Sequence, residues 1–345
     1  MDFSILSSIV LLLIFLTCTV VIWIAGVKIT RAVDAITTYF NLGEAFGGMV
    51  FLAIVTNLPE IAITVVAAYH KDYDIAVSNL LGGVAIQTVV LVLIDVFGVG
   101  RLAPLTLKGH SRVLILEGVA LIMILTLVMM AKQFPSQILF FRTTPIELLI
   151  LFIWLGSIFS ISRLAKSEGS IKEDKNSLSQ LRHPKSPFRG GIQSAIWVLV
   201  IGAVLTLVAG WALEYSGEIL SKRWHVSGVL FGGTILALAT ALPEISTGIA
   251  SAKIRDYNMA VSDIFGGNAF LPVLFLVASI ISGEAVIPTL SNSDMYLTGL
   301  GILLTCIYMV GMVLHSKRQV FRMGVDSLCV LLTYLVGLIG LWAIA

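Results

Sequence analysis

The sequence predicts an all-α membrane protein: ten transmembrane helices as two inverted five-helix repeats, with broken helices at a midplane site. The first observation is composition. Of 345 residues, 58% are hydrophobic and 12% charged, where a soluble domain carries about 25% charged residues. The second is length: the apolar runs are about 20 residues each or somewhat longer, enough to cross roughly 30 Å of hydrocarbon. The third is an internal repeat. Thr56-Asn57-Leu58-Pro59-Glu60 returns 184 positions later as Thr240-Ala241-Leu242-Pro243-Glu244. The register then holds without a gap, so that Lys71 to Gly83 lines up with Arg255 to Gly267.

The first span, 4–27, has no basic residue before it and no small-residue cleavage site after it. It is also longer than a signal-peptide core, so it reads as a retained span. The second, 43–69, contains Gly47-Gly48 and Pro59, and the third, 73–97, contains Asn79, Gly82-Gly83 and Gln87. The fourth (113–131) and fifth (143–162) close the first half. From Arg163 to Gly191 the chain carries Ser, Lys, Pro and Gly without an apolar period, the composition of a linker. The second half repeats the layout as 193–213, 226–252, 257–282, 295–314 and 323–344. The expected organisation is residues 1–162, a linker at 163–192, and 193–345. Gly232-Gly233 and Gly47-Gly48 precede the two proline motifs, where small residues allow helices to approach closely.

Charge sets the orientation. With the 163–192 linker on the cytoplasmic side, inside segments hold seventeen Lys and Arg and outside segments five, as the positive-inside bias requires. Both termini then lie outside, in what is expected to be the plasma (inner) membrane. Five spans per half is an odd number, so the second half enters the bilayer upside down. The formal net charge of +2 gives no footprint for nucleic acid.

An ionisable residue in hydrocarbon costs several kcal/mol and marks function by default. Here the cost is incurred twice, at Glu60 and Glu244. Pro59 and Pro243 each remove a backbone hydrogen bond and break an otherwise apolar helix, which is tolerated at membrane depth where the backbone lines a cavity. Freed carbonyls, threonine hydroxyls and carboxylates are hard oxygen ligands suited to Ca²⁺, Na⁺ or Mg²⁺. The next helix adds Asn79 and, at the matching position, Asp263. The candidate cation site is therefore Thr56, Glu60, Asn79, Thr240, Glu244 and Asp263. Up to three carboxylates crowded together require cations or protons, and two occupants competing for one site with two access states is the basis of antiport. A structural alternative is a capping box, with Asn57 as N-cap and Glu60 reaching back. Ala241 cannot cap while Glu244 remains, although Thr240 could do so one residue earlier.

At these residues the chain resembles the calcium/cation antiporter superfamily, which includes the sodium/calcium exchangers. Thr56 to Glu60 and Thr240 to Glu244 match that family's G-T-S-L-P-E motif, and Ser78 to Gly82 and Ser262 to Gly266 match its second motif. The resemblance covers both repeats and effectively the whole chain. It implies Ca²⁺ ligation by Glu60 and Glu244 with help from Thr56 and Thr240, Na⁺ sites using the carbonyls of Ala53 and Ala237, and a role for Asn79 and Asp263. Asn57 stands where the family motif has its serine. Departures are Val55 and Ala239 for glycine, Asn57 and Ala241 for serine, and Ile75 and Met259 where Na⁺-coupled members carry a serine. The implied function is exchange of Ca²⁺, or a related cation, for Na⁺, with H⁺ as the alternative counter-ion. The proton-coupled members' G-N-x-x-E motif is absent. A cation channel would need a filter, and no serine-histidine set, H-E-x-x-H or paired catalytic aspartates suggests an enzyme. No cofactor is implied; inorganic cations and the lipid bilayer are the partners, and a monomer suffices for transport.

Among other polar residues, Glu44, Asp95, Glu117, Glu147, Glu214 and Asp326 lie near span ends and are expected at the interface. Gln87 and Asn268 sit deeper. The five histidines do not cluster. Cys18, Cys306 and Cys329 are isolated in apolar runs, without metal-type spacing, and read as buried hydrophobes.

Overall fold

The computed structural model describes residues 5–40, 51–71, 73–100, 103–109, 111–133, 142–173 and 191–344. The described chain is almost wholly helical. Its one ladder is a two-residue antiparallel pair, Gln319–Val320 with Met323–Gly324. The first half comprises α1 (Ser8–Tyr39), α2 (Leu52–Thr56), α3 (Leu58–His70), α4 (Asp74–Ile94), α5 (Leu105–Lys108), α6 (Arg112–Ala131) and α7 (Pro145–Glu173). The second comprises α8 (Gly191–Arg223), α9 (Gly228–Leu230), a π-helix (Phe231–Leu236), α10 (Ala237–Thr240), α11 (Leu242–Lys253), α12 (Tyr257–Phe270), α13 (Leu274–Ser282), α14 (Asn292–Leu314) and α15 (Val325–Ile344).

Eight described helices are long and apolar enough to cross a membrane, and the bent pair Gly228–Thr240 plus Leu242–Lys253 makes a ninth. Of the expected second span, α2 and α3 are described. Its start, with Glu44 and Gly47-Gly48, lies outside the described residues, as does most of the linker.

Burial sorts the helices. The windows of α4 and of α12–α13 are 78% buried, whereas those of α1 and α8 are 33% and 28% buried. The site-bearing helices thus form the centre, and α1 and α8 present apolar side chains such as Ile9, Val204 and Val208 outward, as lipid-facing helices do. α1 and α8 pack along each other in opposite directions: Arg223, ending α8, donates to the Leu6 carbonyl (2.8 Å) and to Ser8 Oγ (3.2 Å) at the start of α1.

Two close approaches lock this pair onto the centre. A Cβ at Gly26 of α1 would stand 2.6 Å from Pro243, and one at Gly210 of α8 would stand 2.8 Å from Ala62 and 3.2 Å from the Pro59 carbonyl. Gly26 and Gly210 are themselves 184 apart, as are Pro59 and Pro243. The first helix of each half therefore rests on the broken helix of the other.

The expectation that the span-end acids reach out to the headgroups is corrected. Asp95, Glu117, Glu147, Glu214 and Asp326 are all buried. Glu147 caps α7, accepting from the Thr144 amide (2.9 Å) and from Ser279 of α13 (2.6 Å). Asp95 accepts from the amides of Leu105 and Gly324 and from Ser327 Oγ, each at 2.7 Å. Linear hydropathy locates depth along one helix but not the donors that neighbouring elements bring. Cys329 is exposed and the other two cysteines are partly so, because they fall on outward helix faces.

Candidate cation site

Both proline motifs interrupt the helix at the residue before leucine. Asn57 has φ −87°, ψ 19° and Ala241 has φ −81°, ψ 1°, nearly the same bridge-region turn at positions 184 apart. Proline at the second position of α3 and of α11 needs no amide donor there, so the chain restarts as a helix at once. On the second-half side the two segments bend by 45°. Neither Asn57 nor Ala241 makes a side-chain cap, so the capping-box alternative is not realised.

Glu60 and Glu244 thus fall in the first turns of α3 and α11, 1% and 2% exposed. All four of their carboxylate oxygens are buried without a hydrogen-bond partner. Such groups are costly unless paired, and their coincidence at matching positions singles out this site. Glu60 and Asp263 are the charged neighbours of Glu244, and Thr240 faces Glu60 from the other half. Asp263 is half-buried and held by Thr247 Oγ1 at 3.1 Å. Thr247, one turn after Glu244, was not singled out in the sequence, although its helical spacing places it on the same face.

The second wall of the site is α4. Asn79 and Gln87 are buried, and none of their side-chain amide atoms has a partner. A Cβ at Gly267 would lie 3.3 Å from Asn57 Nδ2 and 3.8 Å from Gln87 Oε1, so Asn57, Gln87 and α12 converge. Close packing is backbone on backbone: a Cβ at Gly82 would be 2.3 Å from Gly233 Cα, and one at Gly232 would be 2.5 Å from the Ile75 carbonyl. Gly232-Gly233 thus serves the close approach expected of it.

The remaining expected ligands differ. Thr56 is buried at the end of α2, and Ala53 lies one turn earlier in the same helix. The Ala237 carbonyl accepts both the Ala241 amide (3.1 Å) and Thr240 Oγ1 (3.2 Å), and so is already engaged. Among the described residues no three His, Cys, Asp or Glu side chains converge at metal-binding distance; the acids form a chain, Glu60–Glu244–Asp263, rather than a cage. Asn268 is buried but donates to the Val84 carbonyl at 3.3 Å.

Two further contacts flank the site, and nothing in the sequence announced them. Ser78 donates to Asp294 of α14 (2.8 Å) and Ser262 donates to Glu117 of α6 (2.7 Å). These serines precede Asn79 and Asp263, are 184 apart, and each reaches into the opposite half. Asp294 also lines a polar recess of about 300 Å³ with Lys71, Tyr73 and Asp74. At its rim Lys71 pairs with Glu284 at 2.5 Å, and that carboxylate holds the Lys71 ammonium above its ordinary pKa.

The family model for the sodium/calcium exchanger protein matches residues 10–162 and 194–343, which is most of both halves. This chain belongs to the sodium/calcium exchanger family. It is 29% identical over 260 residues to the inner membrane protein YrbG of Escherichia coli K12, covering 74% of this chain and 76% of that one. Its fold is similar to that of YfkE (TM-score 0.66, 14% identity, 95% of this chain and 91% of that one). It is also similar to that of the sodium-calcium exchanger NCX_Mj (TM-score 0.62, 14% identity, 96% and 98%). The chain is accordingly a multi-pass membrane transporter of the cation-antiporter type and not an enzyme, and the superfamily resemblance read from its two motifs is borne out.

Proposed function

We propose that this protein exchanges Ca²⁺, or a related cation, for Na⁺ by alternating access, with the cation held between Glu60 and Glu244. The observation that carries this is the burial of four partnerless carboxylate oxygens at repeat-related positions beside two helix breaks. Hard oxygens of this kind suit Ca²⁺, with waters completing a shell of about six to eight. Thr56, Thr240, Asn57, Asn79 and Asp263 complete the surroundings, and Ala53 and Ala237 are the proposed carbonyl positions.

The proposed architecture is ten spans in two inverted halves, 1–162 and 193–345, joined by a cytoplasmic linker at 163–192. Both termini lie outside the plasma (inner) membrane, and a monomer suffices for transport. The antiparallel α1–α8 pair and the reciprocal Gly26–Pro243 and Gly210–Pro59 contacts support the inversion. In this reading α1 and α8 slide past the central bundle, and the recess by Asp294 belongs to the external path.

A second reading takes H⁺ as the counter-ion. Ile75, Met259 and Ala241 offer no hydroxyl, and the Ala237 carbonyl is doubly engaged. The deciding experiment is Ca²⁺ flux into proteoliposomes under an outward Na⁺ or an outward H⁺ gradient, with the membrane potential clamped. Flux driven by Na⁺ alone supports the first reading, and flux driven by H⁺ alone supports the second. Ungated flux without a counter-ion would overturn both in favour of a channel.

A further inference from the structure

α14 ends at Leu314 and α15 begins at Val325, and both are long and apolar enough to cross a membrane. The hairpin between them, His315 to Gly324, therefore turns at the bilayer surface, since non-helical backbone is not left facing hydrocarbon. It carries Lys317, Arg318 and Arg322 and no acid. All three cations are exposed, and among the described residues none of them is ion-paired. Phe321, at the tip, is 82% exposed.

The tip is built against conformational preference. Gln319 pairs with Gly324 and Val320 with Met323, which leaves Phe321 and Arg322 as the turn. Both have positive φ, 50° and 70°, as in a type I′ turn, whose usual residues are Asn and Gly. A side chain there is sterically costly, yet the turn holds an aromatic ring and a guanidinium. The hairpin is also fixed in place. The Gly324 amide donates to Asp95 Oδ2 (2.7 Å), and the Gln319 side-chain amide donates to the Gly100 carbonyl (3.1 Å). Side chains alternate along an extended chain, so an inward Gln319 turns Arg318 and Val320 outward, and both are exposed. The acids beneath, Asp95 and Asp326, are buried.

We propose that this hairpin is a binding site for an anionic lipid headgroup. Lys317, Arg318 and Arg322 take the lipid's negative charge, and Phe321 with Val320 rests at the headgroup level, where aromatic rings anchor membrane proteins. Attraction to an anionic surface accumulates with each Lys or Arg near it. The exposed apolar pair selects a lipid over a free phosphate, because only a lipid offers apolar surface against which to bury it. A backbone already held at Asp95 and Gly100 loses little freedom when the lipid binds. Lipid capture here is independent of which ions the protein exchanges.

The test is native mass spectrometry of the full-length protein in detergent, titrated with phosphatidylglycerol or with phosphatidylcholine of the same acyl chains. The wild type is expected to bind phosphatidylglycerol about tenfold more tightly or better. Lys317→Gln, Arg318→Gln and Arg322→Gln combined should abolish that preference. Lys28→Gln with Arg31→Gln, which neutralises two exposed cations of α1, should leave it unchanged. Phe321→Asn suits the left-handed turn. It should melt no lower than wild type yet bind phosphatidylglycerol several-fold more weakly, and it serves if the triple variant does not fold. No preference in the wild type, or wild-type phosphatidylglycerol affinity in a folded hairpin variant, overturns the proposal. An equal loss in the α1 variant overturns the placement of the site at the hairpin.

Discussion

Asn268 donates its side-chain amide to the carbonyl of Val84 at 3.3 Å, and the two residues are 184 positions apart. In the inverted arrangement proposed above, a residue that meets its own counterpart would lie beside the axis relating the two halves, as at any two-fold contact. α4 and α12 touch at this point. Around it the breaks at Asn57 and Ala241, and the acids that follow them, converge from opposite halves. The same reciprocity braces the breaks from outside, through Gly26 on Pro243 and Gly210 on Pro59. The proposed site thus lies where repeat-related positions of the two halves meet.

Neutralising either central acid should stop transport without unfolding the protein. Glu60→Gln and Glu244→Gln each remove a buried carboxylate whose oxygens have no protein partner, so a cost to the folded state disappears. The expected result is Ca²⁺ flux down by about tenfold or more, the equivalent of at least about 1.4 kcal/mol, with an unchanged or raised melting temperature. Full flux in both variants would remove these residues from the site.

Repeat-related glycines should respond unequally to alanine. A Cβ at Gly82 would stand 2.3 Å from the Gly233 Cα, whereas one at Gly266 meets nothing within 4 Å. Backbone cannot step aside as a flexible side chain can, so Gly82→Ala should cost about 1–3 kcal/mol or more. Gly266→Ala should stay within about 0.5 kcal/mol of wild type. Unfolding of the two variants in parallel checks this, and equal losses would contradict the packing described.

Much of this was legible in the sequence because a repeat at constant register exposes paired functional positions. Thr56 to Glu60, matched at Thr240 to Glu244, gave the breaks and the acids. The contacts around them were not legible. Thr247 holding Asp263, Ser262 reaching Glu117, and Gln87 beside Asn57 all depend on which helix faces are opposed, and hydropathy carries no such information. The span-end acids failed for the same reason. Asp95 looks like an interfacial side chain until Leu105, Gly324 and Ser327 are brought to it from 10, 229 and 232 residues away.

With those three donors, Asp95 should act as a structural tether rather than as a transport residue. Asp95→Ala leaves two buried amides and a hydroxyl without their acceptor, at about 1–3 kcal/mol for each unsatisfied group. Thermal unfolding should show a large loss, whereas flux by the surviving protein should keep its ion dependence. Altered ion dependence at unchanged stability would place Asp95 on the permeation path instead.

Asp263 should govern the counter-ion more than the fold. Its carboxylate accepts from Thr247 Oγ1 at 3.1 Å, a bond that the amide oxygen of Asp263→Asn can still accept. What the substitution removes is the negative charge beside Glu244. Melting should stay close to wild type, since one neutral hydrogen bond is worth about 1 kcal/mol, while the Na⁺ or H⁺ dependence of Ca²⁺ flux shifts. Asn79, its repeat counterpart on α4, is buried with an unpartnered amide, so the charge can be moved to the matching position of the other half. Asn79→Asp combined with Asp263→Asn should recover part of the lost counter-ion dependence if the two halves contribute equivalently. Unchanged ion dependence in Asp263→Asn alone would put this residue outside the transport site, and failure of the charge swap with intact folding would mean that the halves load their ions differently.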